Sequence, residues 1–94
     1  MSESYHKTTE AKSILKQREI QKELPLFTAE FFRGIADSTS ARTRLGYAYD
    51  LKIFFTYLSE EVIIKKIRDL TIDDLSALTS DDIENFMDYL TYYI

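Results

Sequence analysis

Apolar residues recur along most of this chain at helical rather than alternating spacing. From about Thr8 to Glu23, helix formers carry a thin apolar stripe of Ala11, Ile14 and Leu15 among Lys12, Lys16, Arg18 and Lys22, which predicts a weakly amphipathic helix. Pro25 breaks it and suits the first turn of the next helix, where a missing N–H costs nothing. Leu26, Phe27, Phe31, Phe32 and Ile35 keep helical spacing until Gly34, Asp37 and Ser38 wind that segment down.

The strongest element follows Ser38-Thr39-Ser40, a cluster of N-cap residues, and is expected to run to about Ser59. At 100° per residue, Tyr47, Ala48, Leu51, Phe54, Phe55 and Leu58 fall in a stripe about 120° wide, the expected core face. Arg42, Tyr49, Ile53 and Thr56 lie opposite. A helix apolar on both sides belongs at the centre of a bundle.

The β-branched run Val62 to Ile67 fits a short strand, a helical turn or a packed loop equally well, and is treated as a connector. Two capping signatures follow in tandem, Thr71-Ile72-Asp73-Asp74 and Thr79-Ser80-Asp81-Asp82, with Asp where Glu or Gln usually stands. Each opens a helix. The first ends near Leu78; the second carries Ile83, Phe86, Met87, Leu90 and Ile94 on one face. Because the chain stops inside that pattern without a capping residue, the parent protein is expected to continue beyond it.

Composition narrows the class. Ninety-four residues, 45% hydrophobic and 14% aromatic, support one modest core. Two Gly and one Pro leave too little turn chemistry for a set of hairpins, so an all-α bundle of about four helices with an additional N-terminal helix is the expected fold. The absence of Cys excludes disulfides and thiol chemistry and fits a cytoplasmic setting; no signal peptide or membrane span can be placed. Residues 1–7, with the sole His at position 6, are expected to form a flexible tail. The net charge of -4 argues against a polyanionic partner, but it is unevenly spread. Residues 1–58 hold nine Lys/Arg against seven Asp/Glu, and residues 59–94 hold three against nine. Only the first part is suited to meeting a polyanion.

Catalytic and metal chemistry lack their usual groups. One His cannot build a His-based triad or metal cluster, and no cofactor or metal is expected. The Asp73-Asp74 and Asp81-Asp82 pairs are explained by free N–H groups and the positive dipole end of a helix start. The candidate site is the basic, hydroxyl-bearing start of the long middle helix: Ser40, Arg42, Thr43 and Arg44, with Lys52 two turns on. A helix N-terminus offers backbone N–H groups to an anion, which makes phosphate contact the natural chemistry there. Lys12, Lys16 and Lys22 form a second, weaker basic set, and the Tyr and Phe residues follow core spacing.

The stretch from Ser40 through Thr43, Tyr47, Asp50-Leu51, Phe54 and Tyr57-Leu58 resembles the signature of the SAM-like N-terminal core-binding domain of tyrosine recombinases and phage integrases. Leu78-Thr79-Ser80-Asp81-Asp82-Ile83 through Tyr89-Leu90 looks like the family's final helix, and Glu23-Leu24-Pro25 before Phe31-Phe32 looks like Xer-type members of Gram-positive bacteria. On this reading residues 1–22 are a tail and helix, and 23–94 are the core-binding domain. The resemblance implies that the second and fourth bundle helices face double-stranded DNA, with Ser40, Arg42, Thr43, Arg44 and Lys52 on backbone phosphates. It also implies that a separate C-terminal domain carries the catalytic Tyr, Arg, Lys and His, so this chain is no enzyme by itself, and that the parent assembles as a tetramer on DNA. Two departures stand out: no His-x-x-Arg occurs, and Asp81, Asp82, Glu84 and Asp88 make the final helix acidic.

The expected function is therefore DNA binding in site-specific recombination, clamping a core site mainly through phosphates. The rivals are a protein-interaction bundle acting as an adaptor through its acidic C-terminal face, and a small helix-turn-helix regulator.

Overall fold

The computed structural model describes the main chain of residues 2–93 and the side chains of residues 8–92. Its helices are α1 (Ser2–Gln21), α2 (Thr28–Ile35), α3 (Ala41–Tyr57), α4 (Ile72–Ser76) and α5 (Ser80–Tyr93). A π-helical turn, Leu58–Val62, prolongs α3, and a 3-10 turn, Ile67–Asp69, precedes α4. No strand occurs among the described residues, so the fold is the expected all-α bundle. The segment around Val62 to Ile67 thus consists of helical turns joined by irregular chain. α1 begins at Ser2 rather than near Thr8, so the main chain of residues 2–7, expected as a flexible tail, is helical instead; the side chains of residues 1–7, His6 included, lie outside the described ones.

Local chemistry sets the boundaries. Pro25 lies one turn ahead of α2 rather than inside its first turn, because its carbonyl is used there: the Thr28 amide and the buried Thr28 hydroxyl both donate to it, at 3.1 and 2.7 Å. After α2 the Ser38 and Thr39 hydroxyls fold back onto the Ile35 carbonyl, ending the helix. Ser40 then adopts extended φ/ψ and accepts the Thr43 amide at 3.1 Å, the N-cap of α3. Both tandem signatures form complete capping boxes. The Thr71 and Thr79 amides donate to Asp74 and Asp82 Oδ2 at 2.9 Å, and the Asp amides return the bond to each Thr hydroxyl at 3.2 Å.

The core is one cluster of Ile20, Leu24, Phe32, Ala48, Phe55, Tyr57, Leu58 and Leu70. Burial of a Phe55-sized side chain contributes about 1.5–3 kcal/mol. Phe27 meets Phe55 edge to face at 5.8 Å, tying the entry of α2 to α3. α5 is held by rings: Phe86 lies 5.0 Å from Phe54 and 5.3 Å from Tyr57, and Tyr89 lies 5.0 Å from Tyr57. Two expected faces are corrected. On α1, Ala11 and Leu15 are exposed, and the buried positions are Gln17 and Ile20, because α1 lies against α3 along a different stripe. On α3, Tyr47 is 41% exposed whereas Tyr57 is buried at 9%, because α5 packs over Tyr57 and nothing covers Tyr47 to the same depth.

Candidate nucleic-acid interface

Three adjoining pockets follow one flank of α1 as a groove, two of them against α2 and the third against the α2–α3 connection and the start of α3. The first, about 410 Å³, is bounded by Arg18, Gln21, Lys22, Pro25, Leu26, Thr28, Ala29 and Arg68. The next shares Arg18, Gln21 and Ala29 and adds Arg33 and Arg44. The last shares Ala36 and Arg44 and adds Thr9, Glu10, Ser13, Ser40 and Arg42. Because neighbouring pockets share walls, they form one track beside α1 from Thr9 to Lys22, about 20 Å at 1.5 Å per residue. Arg18, Lys22, Arg33, Arg42, Arg44 and Arg68 line it, and Glu10 is the one carboxylate among its described lining residues.

Two of these cations are anchored by helix ends. Arg44 Nη1 donates to the Ala36 carbonyl at 2.8 Å, the Thr39 carbonyl at 2.5 Å and the Thr39 hydroxyl at 3.3 Å. Arg68 Nη1 donates to the Lys22 and Leu24 carbonyls at 2.6 and 3.2 Å. Each guanidinium thus satisfies carbonyls at a helix C-terminus, where a cation is also favoured by the dipole. One nitrogen is spent in this way; Nε and Nη2 of both residues have no hydrogen-bond partner among the described residues. The side chains of Arg18, Lys22, Arg33 and Arg42 are exposed and unpaired among the described residues. A planar, permanently charged guanidinium held by one edge is a pre-organised phosphate donor.

The residues singled out from sequence are divided by the structure. Ser40, Arg42 and Arg44 line the same end of the groove. Thr43 stands beside them, but its amide and hydroxyl are engaged with Ser40, at 3.1 and 2.9 Å. Lys52 is apart from the groove and its Nζ sits 2.8 Å from Glu23 Oε2, so its charge is neutralised. That contact raises the Lys52 pKa above its ordinary 10.5 and lowers Glu23 below its ordinary 4.5, in each case chiefly through the shared hydrogen bond. Lys12 and Lys16 do not line the groove, and Lys16 lies 3.7 Å from Glu19.

Sequence reasoning passed over Arg18, Arg33 and Arg68. Arg18 and Lys22 stand at i and i+4, a spacing that puts two cations on one helix face. Arg68 carried no such signal, since only the return of the chain brings it to α1. Among the described residues no group of three or more His, Cys, Asp or Glu is placed to hold a metal ion, and no helix is long and apolar enough to cross a membrane. No family model, curated protein or solved structure matches the chain.

Proposed function

We propose that this chain is a DNA-binding domain that takes a sugar-phosphate strand along the α1–α2 groove and the start of α3. The single observation that carries the reading is the collection of six cations from four parts of the chain into one track with one lining carboxylate, in a protein whose net charge is -4. Chance placement on an acidic protein disperses its cations among carboxylates; here Lys16, Lys52 and Lys65 are so paired and the groove residues are not. Contacts of this kind position duplex DNA without reading bases.

The resemblance around Ser40 to Leu58 supports a more specific role, the non-catalytic core-binding domain of a tyrosine recombinase, with strand exchange performed by groups on another domain. Ser40, Arg42 and Arg44 keep their proposed phosphate role, Thr43 serves by holding Ser40, and Lys52 is replaced by Arg18, Lys22, Arg33 and Arg68. Affinity of the domain alone is expected to be weak, on the order of 10⁻⁴ M at physiological salt.

Titration with duplex DNA at low and moderate salt, followed by amide chemical shifts, tests the reading. Expected are salt-sensitive shifts confined to Arg18, Gln21, Ala29, Arg33 and Ser40 to Arg44. Shifts absent there at low salt would overturn it.

A further inference from the structure

Apart from the groove, α5 and the end of α3 enclose a different kind of cleft. It has a volume of about 380 Å³ and is lined by Tyr57, Glu61, Asn85, Asp88, Tyr89 and Tyr92. Tyr57 is buried and forms the floor with Tyr89, their centroids 5.0 Å apart and planes inclined at 46°. Tyr92 is 80% exposed at the rim. Glu61 and Asp88, exposed on facing elements, have no basic partner within 4.0 Å among the described residues.

These features fit one ligand chemistry. Aromatic faces attract a cation through the ring quadrupole, and two carboxylates at the rim supply full charge. The surroundings act in the same direction: from Asp69 to the end of the sequence there are seven Asp/Glu and no Lys or Arg. An anion is repelled from this cleft, and a neutral ligand leaves both carboxylates unmatched.

We propose that this cleft binds the ammonium or guanidinium head of a Lys or Arg from a basic protein segment, which rests on the floor formed by Tyr57 and Tyr89 beside Tyr92 while Glu61 and Asp88 flank its charge. The site is independent of the phosphate track and stands or falls separately from it. An extended segment suits the open cleft because its neighbouring residues lie across the acidic face of α5 while one side chain enters.

The test is a titration of the full 94-residue chain with the blocked peptide acetyl-Gly-Lys-Gly-Arg-Gly-amide and, as a free cation, tetramethylammonium, read by amide shifts and tyrosine fluorescence. Saturable shifts at Asn85, Asp88, Tyr89 and Tyr92 are expected with the peptide, with binding at least tenfold tighter than that of tetramethylammonium. Y92A is expected to weaken binding by about fivefold, the size of one exposed cation–π contact, and E61Q with D88N to weaken it further. The three substituted side chains are exposed, so circular dichroism should be unchanged. Tetramethylammonium binding as tightly as the peptide, shifts spread evenly over all acidic helix starts, or affinity unchanged in Y92A would each overturn the proposal.

Discussion

Arg68 reaches back over 46 positions to place its Nη1 2.6 Å from the main-chain oxygen of Lys22. One side chain from the loop before α4 therefore closes the C-terminal end of α1 and contributes charge to the end of the basic groove. Loss of this cap exposes α1 carbonyls without a partner, so R68A is expected to lower stability by about 1–2 kcal/mol, read as a shift of the thermal midpoint by roughly 4–8 °C per kcal/mol in a domain of this size. R68K keeps the charge but lacks the planar fork, and should recover part of the DNA affinity and little of the stability.

Groove charge is separable from fold. R18A and R33A remove exposed side chains with no described partner, so both should leave the stability within about 0.5 kcal/mol of the parent. Removing a single phosphate-binding side chain should flatten the slope of log affinity against log salt by about 0.9. K52Q, away from the groove, should leave that slope unchanged. A slope altered by K52Q but not by R18A would reverse the assignment.

The Glu23–Lys52 pair has a defined pH window. Glu23 is held below its ordinary 4.5, so its contribution to stability is present above that value and disappears as pH falls through the lowered folded-state pKa. Lys52 is held above its ordinary 10.5, so its contribution is present below that value and disappears as pH rises through the raised one. Asp74, lowered from 3.8 mainly by its hydrogen bond with Lys65, adds to the acid limb. E23Q should therefore reduce the pH dependence of denaturant midpoints below about pH 4.5 and leave the difference between variant and parent constant across the neutral range.

Ile64 has φ of 53° while its side chain is 73% exposed. A β-branched residue in left-handed backbone is strained by about 1–3 kcal/mol, and little burial offsets it here. I64G and I64N are expected to stabilise the protein by about 1 kcal/mol in urea unfolding. A destabilising effect from both would show that the side chain has a packing role.

At the core, F55A removes a side chain that is 2% exposed and in edge contact with Phe27, with an expected cost of about 3–5 kcal/mol. For a small domain that is enough to leave a substantial unfolded fraction at ordinary temperature. The T71A and T79A cap deletions should each cost about 1 kcal/mol, measurable as separate shifts in the urea midpoint.

What the sequence determined by itself was the part of the structure written in short-range chemistry. Ser40, Thr71 and Thr79 start helices because each hydroxyl reaches an amide three residues on, a distance within the chain's own local geometry. The all-helical class followed from periodicity and the scarcity of turn residues. Tertiary packing decided everything that needed distant partners. It chose Tyr57 over Tyr47 for burial, because α5 came to lie on that side of α3. It neutralised Lys52 with Glu23, and it assembled Arg18, Arg33, Arg44 and Arg68 into one groove. Charge positions along a chain specify how many cations exist; only the mutual docking of helices specifies which of them meet a carboxylate and which remain to face a ligand.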